Sequence, residues 1–182
     1  MGLDMYLTRR TYVKNWDHMS KEERHSVTVK RNNKKHPYID PKKVCYIIED
    51  VAYWRKANAI HKWFVDNVQD GEDECKPHYV EMSQLKELYD LCVEINEYFE
   101  KNGDKGLEKF AEERLPTQGG FFFGDTSYNT DENGDNWYME GIKETIEQLK
   151  PLIDLEKELE EKYEKGEIRR LDYPEYQYQS SW

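Results

Sequence analysis

The sequence predicts an α+β fold: a mixed or antiparallel sheet covered by about four helices, in a single domain. Three observations lead there. Short β-branched and aromatic runs with partial alternation occur near both ends of the chain, while apolar residues recur at helical spacing between them. Glycine and proline punctuate these runs at irregular intervals, with no fixed repeat. Aromatic residues make up 14% of the chain, enough large side chains to build a core although charged residues make up 36%. A length of 182 residues suits one domain. Residues 1–151 read as that domain, and residues 152–182 as an acidic helical extension able to add a closing strand.

The elements follow in order. "LDMYLTRRTYV" reads as a first strand and "HSVTVKR" as a short second one. Pro37 and Pro41 bracket a turn. "VCYIIEDVAYW" is a longer strand. "RKANAIHKWFVDNVQ" changes to helical spacing, with Tyr53, Ala57, Ile60 and Phe64 on one stripe and Gly71 as a stop. "PHYVEM" is a short strand, after which Ser83 is the expected cap of a helix presenting Leu85, Leu88, Cys92, Ile95 and Phe99. Gly103 ends that helix. A shorter one covers Leu107 to Arg114 and stops before Pro116. "GGFFFG" reads as a buried strand or strand-turn, and "NTDENGDN" as a loop. Trp137 to Lys165 is helical, with Pro151 as a kink or break. "EYQYQSSW" alternates as a strand should.

The net charge of -11 is unevenly spread. The first 65 residues carry 14 Lys+Arg against 7 Asp+Glu, and the remaining 117 carry 13 against 31. The basic share is densest in "KRNNKKHPYIDPKK", Lys30 to Lys43. Either the halves neutralise one another across the folded surface, or a basic patch for phosphates stands beside an acidic face for a protein partner. Cys45, Cys75 and Cys92 are odd in number without CxxC spacing, which suits a reducing cytoplasm and not a zinc site. The first residues lack a signal-peptide pattern, and no apolar run is long enough to span a bilayer. The expected setting is cytoplasmic, with no cofactor, no metal and no membrane partner.

Two places invite chemistry. In "LPTQGGFFFGDTSY", Leu115 to Tyr128, glycines and phenylalanines are framed by hydrogen-bonding residues. Read as a ligand floor, it offers Thr117, Gln118, Gly119, Gly120, Phe122 and Thr126. Read as structure, it is a packed strand with a tight entry. Its glycine separation imitates a P-loop, but Asp125 stands where the loop needs Lys and would repel a phosphate. On the helix before it, Trp54, Asn58 and His61 are spaced i, i+4, i+7 and line one edge of the buried stripe, with Arg55 beside them. His61 is either a satisfied structural histidine or a group able to move protons, and so the acid or base if the protein is an enzyme. Asn129, Asp131, Asn133, Gly134 and Glu140 fall at calcium-loop positions 1, 3, 5, 6 and 12, but the first lacks a charge and no helix precedes it, so a plain polar turn is expected. HExxH and GxSxG are absent.

"GLDMYL", "YWRKANAIHKWFVDNVQ" and "LPTQGGFFFGDTSY" together resemble a family of small uncharacterised phage and prophage proteins, over roughly Gly2 to Pro151. The resemblance implies a phage-encoded accessory protein in a bacterial cytoplasm and assigns no catalytic residue. The expected function is interference with a host (defence) system by binding a host protein or an anionic, nucleotide-like ligand. Two alternatives stand beside it: a small enzyme acting on a nucleotide-like substrate through His61, and an acidic mimic of DNA. Direct nucleic-acid binding is disfavoured by the net charge.

Overall fold

A computed structural model describes residues 2–182. The chain forms, in order, β1 (Asp4–Tyr12), β2 (Lys30–Arg31), β3 (Lys34–Lys35), β4 (Tyr46–Arg55), α1 (Asn58–Val68), β5 (His78–Val80), α2 (Met82–Asn102), α3 (Leu107–Glu112), α4 (Trp137–Glu164) and β6 (Glu175–Ser181). Single 3₁₀ turns cover Pro41–Lys43 and Arg170–Asp172. The main sheet is antiparallel throughout, in the order β4-β1-β6-β5. The α+β architecture is the one the sequence predicts.

Strand alternation sets the two faces of the sheet. Met5, Leu7, Ala52, Trp54, Tyr176, Tyr178 and Val80 are buried and belong to one core with helix residues. The other face carries Tyr6, Tyr53 and Tyr79, which stay exposed. The core is aromatic at its centre: Phe64 stacks on Tyr178 at 3.9 Å between ring centroids. Burying one such large apolar side chain contributes roughly 1.5–3 kcal/mol. Trp54 is completely buried, and its indole Nε1 donates to Thr145 Oγ1 on α4 at 3.0 Å.

α2 behaves as its spacing predicts. Leu85, Leu88, Cys92 and Ile95 are all buried, and Gly103 closes the helix by donating to the Phe99 carbonyl at 2.7 Å. Its cap is Glu81, not Ser83: Glu81 and Gln84 satisfy each other's backbone N–H groups in a capping box. α4 runs unbroken through Pro151, which forfeits one backbone hydrogen bond without ending the helix. β6 lies inside the sheet, between β1 and β5. The last 31 residues therefore share the common core through Leu152, Ile153, Tyr176 and Tyr178.

Other expectations fail for local reasons. Of "HSVTVKR" only Lys30–Arg31 is strand, closing a hairpin through Asn32 and Asn33, both at positive φ. Val27 and Val29 are only half-buried, so that alternation had no core face to join. The helix begins at Asn58, because β4 continues to Arg55 and Lys56 turns the corner at φ 58°. Trp54 is thus a strand residue, and the i, i+4, i+7 series with Asn58 and His61 does not exist. Tyr53, expected on the buried stripe, faces outward.

β4 is an edge strand, and α4 guards part of it. Gln148 accepts from the Tyr53 N–H at 2.6 Å and donates to the Tyr53 carbonyl at 2.9 Å. One side-chain amide thereby occupies both backbone groups that an added strand would use.

Candidate functional site

Leu115 to Tyr128 forms no strand. It is a loop clasped to the corner between β4 and α1. Buried Asn58 donates through Nδ2 to the carbonyls of Phe123 at 3.1 Å and Asp125 at 2.7 Å, and its Oδ1 accepts from the Gln118 N–H at 3.3 Å. Leu3 adds a second fastening. Its N–H donates to the Phe122 carbonyl at 3.0 Å, and its carbonyl accepts from the Lys56 N–H at 2.8 Å. The Thr117 hydroxyl donates to the Thr126 carbonyl at 3.2 Å. The glycines serve this tight course: a Cβ on Gly120 would lie 2.7 Å from the Phe123 ring, and Gly124 adopts φ +89° against Lys56. The three phenylalanines separate by role, with Phe123 buried, Phe122 half-buried and Phe121 94% exposed. Of the framing polar side chains, those of Thr117, Asp125 and Ser127 satisfy nearby backbone groups.

His61 is sealed in the same corner. Its side chain has no exposed surface. Nδ1 lies 2.7 Å from the Tyr178 hydroxyl and Nε2 lies 3.0 Å from Asp73 Oδ2. The phenol, whose proton burial holds far above the ordinary tyrosine range, donates to Nδ1. Nε2–H then donates to Asp73, whose other oxygen accepts from the Trp182 indole at 3.1 Å. Burial pushes the imidazole pKa down, partly opposed by Asp73. Phe123 packs edge-on at 5.1 Å. With both nitrogens engaged and the ring covered, this arrangement holds β6 to α1.

The expected wall and floor residues meet as a fastening, with Asn58 and Thr117 lining a cavity of only about 20 Å³, and the larger open spaces lie elsewhere. Of the residues expected to line a site, Arg55 reaches a cleft of about 360 Å³ between Lys56, Gly124 and α4. Glu140 and Glu144 line its far side, and burial with the neighbouring Glu147 and Glu140 raises the Glu144 pKa. That sign of charge is wrong for an anion. The calcium-like loop closes on itself: Asp131 Oδ1 accepts from the Asn133 and Asp135 N–H groups at 2.8 and 3.0 Å, which lowers its pKa, and Asn136 caps α4.

Two further concavities share a wall. A groove of about 800 Å³ runs between the start of α2, the middle of α4 and residues 170–176. Burial raises the Glu156 carboxyl there and pushes the Tyr176 phenol up to about 12. The second, of about 330 Å³, is lined by Arg10, Tyr12, Trp16, Tyr46, Tyr173 and Glu175. Tyr173 and Glu175 belong to both. In the smaller pocket Tyr12 and Tyr46 face each other across the β1–β4 pair, with ring centroids 5.2 Å apart. Trp16 Nε1 donates to the Tyr12 hydroxyl at 2.9 Å, fixing a third aromatic wall. The Arg10 guanidinium lies 4.5 Å from the centre of the Tyr46 ring and donates to the Tyr79 hydroxyl at 3.0 Å. Arg10 Nε and the Tyr173 hydroxyl are buried without a protein partner.

Sequence reasoning missed this pocket because its walls come from residues 10–16, 46 and 173–175, which only long-range strand pairing assembles. The one local signal was the crowding of Arg10, Tyr12, Lys14 and Trp16. Comparison with known protein families, with characterised proteins and with solved structures finds no match to this chain.

Proposed function

We propose that this chain is a phage-encoded accessory protein that acts in the host bacterium by binding, without catalysis, an anionic, nucleotide-like ligand in the aromatic pocket. The reading rests above all on Arg10. Its guanidinium is preset on the Tyr46 ring with Nη1 3.9 Å from Glu175 Oε2, its side chain is only 20% exposed, and its Nε–H has no protein partner. Leaving such a donor buried and unmade is costly, so an acceptor supplied by a ligand is strongly favoured there. Tyr12, Trp16, Tyr46 and Tyr173 line the pocket with aromatic surface against which a flat heterocycle can pack, and the unpaired Tyr173 hydroxyl offers a second polar anchor. A cationic ligand fits less well, because protein cations already use these rings: Arg10 lies over Tyr46, and Lys14 Nζ lies 4.1 Å from the centre of Trp16.

The test is a titration of purine and pyrimidine mononucleotides followed by tryptophan fluorescence, on the wild type, Arg10→Met and Tyr46→Leu. Melting midpoints are recorded alongside to establish folding. Saturable quenching is expected, weakened about tenfold or more in each variant, as loss of a charged hydrogen bond or a stacking face implies. Quenching that is equally strong in folded Arg10→Met, or no saturation below about 1 mM, which is weaker than about 4 kcal/mol of binding, contradicts the proposal.

A further inference from the structure

We infer that the ligand is one unit of a single-stranded nucleic acid, whose base enters the aromatic pocket while its phosphates run onto the basic β2–β3 hairpin. This rests on the pocket reading above and extends it to a polymer. Lys30, Arg31, Lys34 and Lys35 form the hairpin, and Lys42 and Lys43 the 3₁₀ turn after it; all six are exposed. None makes an ion pair among the described residues. The acidic half of the chain thus leaves these cations unneutralised. The segment carrying them leaves and rejoins the sheet at the pocket walls: it follows Trp16 and precedes Tyr46, and the Val13 N–H donates to the Cys45 carbonyl at 2.9 Å. Tyr38, within it, is 89% exposed. Its exposed ring lies 6.2 Å from that of His36, in the same segment as the unpaired cations, and rings interspersed with cations track a single strand by stacking and charge.

Net charge disfavoured a nucleic acid, but its distribution favours one. Of the 38 acidic residues, 14 lie on α2 and α4, which cover the core face of the sheet. Arg10 and Tyr12 alternate with the buried set of β1 and so belong to the other face. A duplex is excluded by the pocket, since a paired base keeps its faces stacked and cannot enter a cavity of this kind.

The experiment compares four probes on the full chain: a mononucleotide, a labelled single-stranded 12-mer, the same 12-mer as a duplex, and anionic phosphatidylglycerol vesicles. The single strand is expected to bind at least tenfold tighter than the mononucleotide. Its affinity should fall roughly 50- to 300-fold between 50 and 200 mM salt, as release of about four to six counterions predicts. Reversing the hairpin with K30E, R31E, K34E and K35E together should weaken the 12-mer and flatten its salt dependence while leaving mononucleotide quenching intact, with circular dichroism confirming the fold. A single strand that binds no tighter than the mononucleotide, or that the four-fold variant binds equally well, overturns the inference and leaves the pocket reading standing. No mononucleotide response at all defeats the pocket reading itself. Vesicle or duplex binding that matches the single strand overturns the choice of partner.

Discussion

Asn58→Ala tests the clasp most severely, because one buried amide holds three points of the loop. The substitution removes the bonds to the Phe123 and Asp125 carbonyls and to the Gln118 N–H, at 3.1, 2.7 and 3.3 Å, from a residue only 4% exposed. At about 1 kcal/mol net for each, the expected loss is about 3 kcal/mol, a large fraction of the roughly 5–15 kcal/mol that holds a domain of this kind. With a urea slope of about 2–3 kcal/mol per molar, the unfolding midpoint should fall by about 1–1.5 M. Asn58→Asp should be no milder: it keeps an acceptor for Gln118 but turns the donor towards two carbonyls into a third acceptor. The loop should also open locally, so native-state chymotrypsin cleavage at exposed Phe121 should accelerate in Asn58→Ala. A midpoint shift below about 0.3 M, equivalent to less than about 1 kcal/mol on that slope, with unchanged cleavage would refute the reasoning.

Three other outcomes follow from the same contacts. Because burial lowers the His61 pKa, the unfolded chain takes up a proton that the folded one resists. Stability should therefore fall as pH drops through about 6.5, by up to about 1.4 kcal/mol per unit, and His61→Gln should show a shallower loss between pH 7 and 5 in urea titrations. Gln148→Leu should free both backbone groups of Tyr53 and promote self-association along β4, seen by sedimentation as a concentration-dependent shift absent from the wild type. Calorimetry should find no saturable calcium binding below about 100 μM, since Asp131 already accepts two N–H groups of its own loop.

What the sequence disclosed depended on how local its cause is. The stripe of α2 and its stop at Gly103 are legible because both are set within a few turns. β6 is legible as a strand, but its place between β1 and β5 is not, since Thr8 meets Gln177 across 169 residues. Trp54, Asn58 and His61 were grouped by a period that begins only at Asn58, after Lys56 has turned the chain. Leu115 to Tyr128 stood out correctly as a place under unusual constraint. The constraint is a fastening, because its backbone bonds the Leu3 N–H and the Asn58 side-chain amide, while Asp125, Thr126 and Ser127 stay exposed. The aromatic pocket was invisible, because Tyr12 and Tyr46 become neighbours only when β1 and β4 pair.

The central claim is where a ligand sits, and backbone amide shift mapping by NMR tests it directly. With a saturating mononucleotide, the account predicts that shift changes gather at residues 10–16, around Tyr46 and at residues 173–175, leaving Asn58, His61 and residues 117–126 unmoved. Changes centred on Asn58 and the Leu115–Tyr128 loop, with the Arg10 region silent, would contradict it.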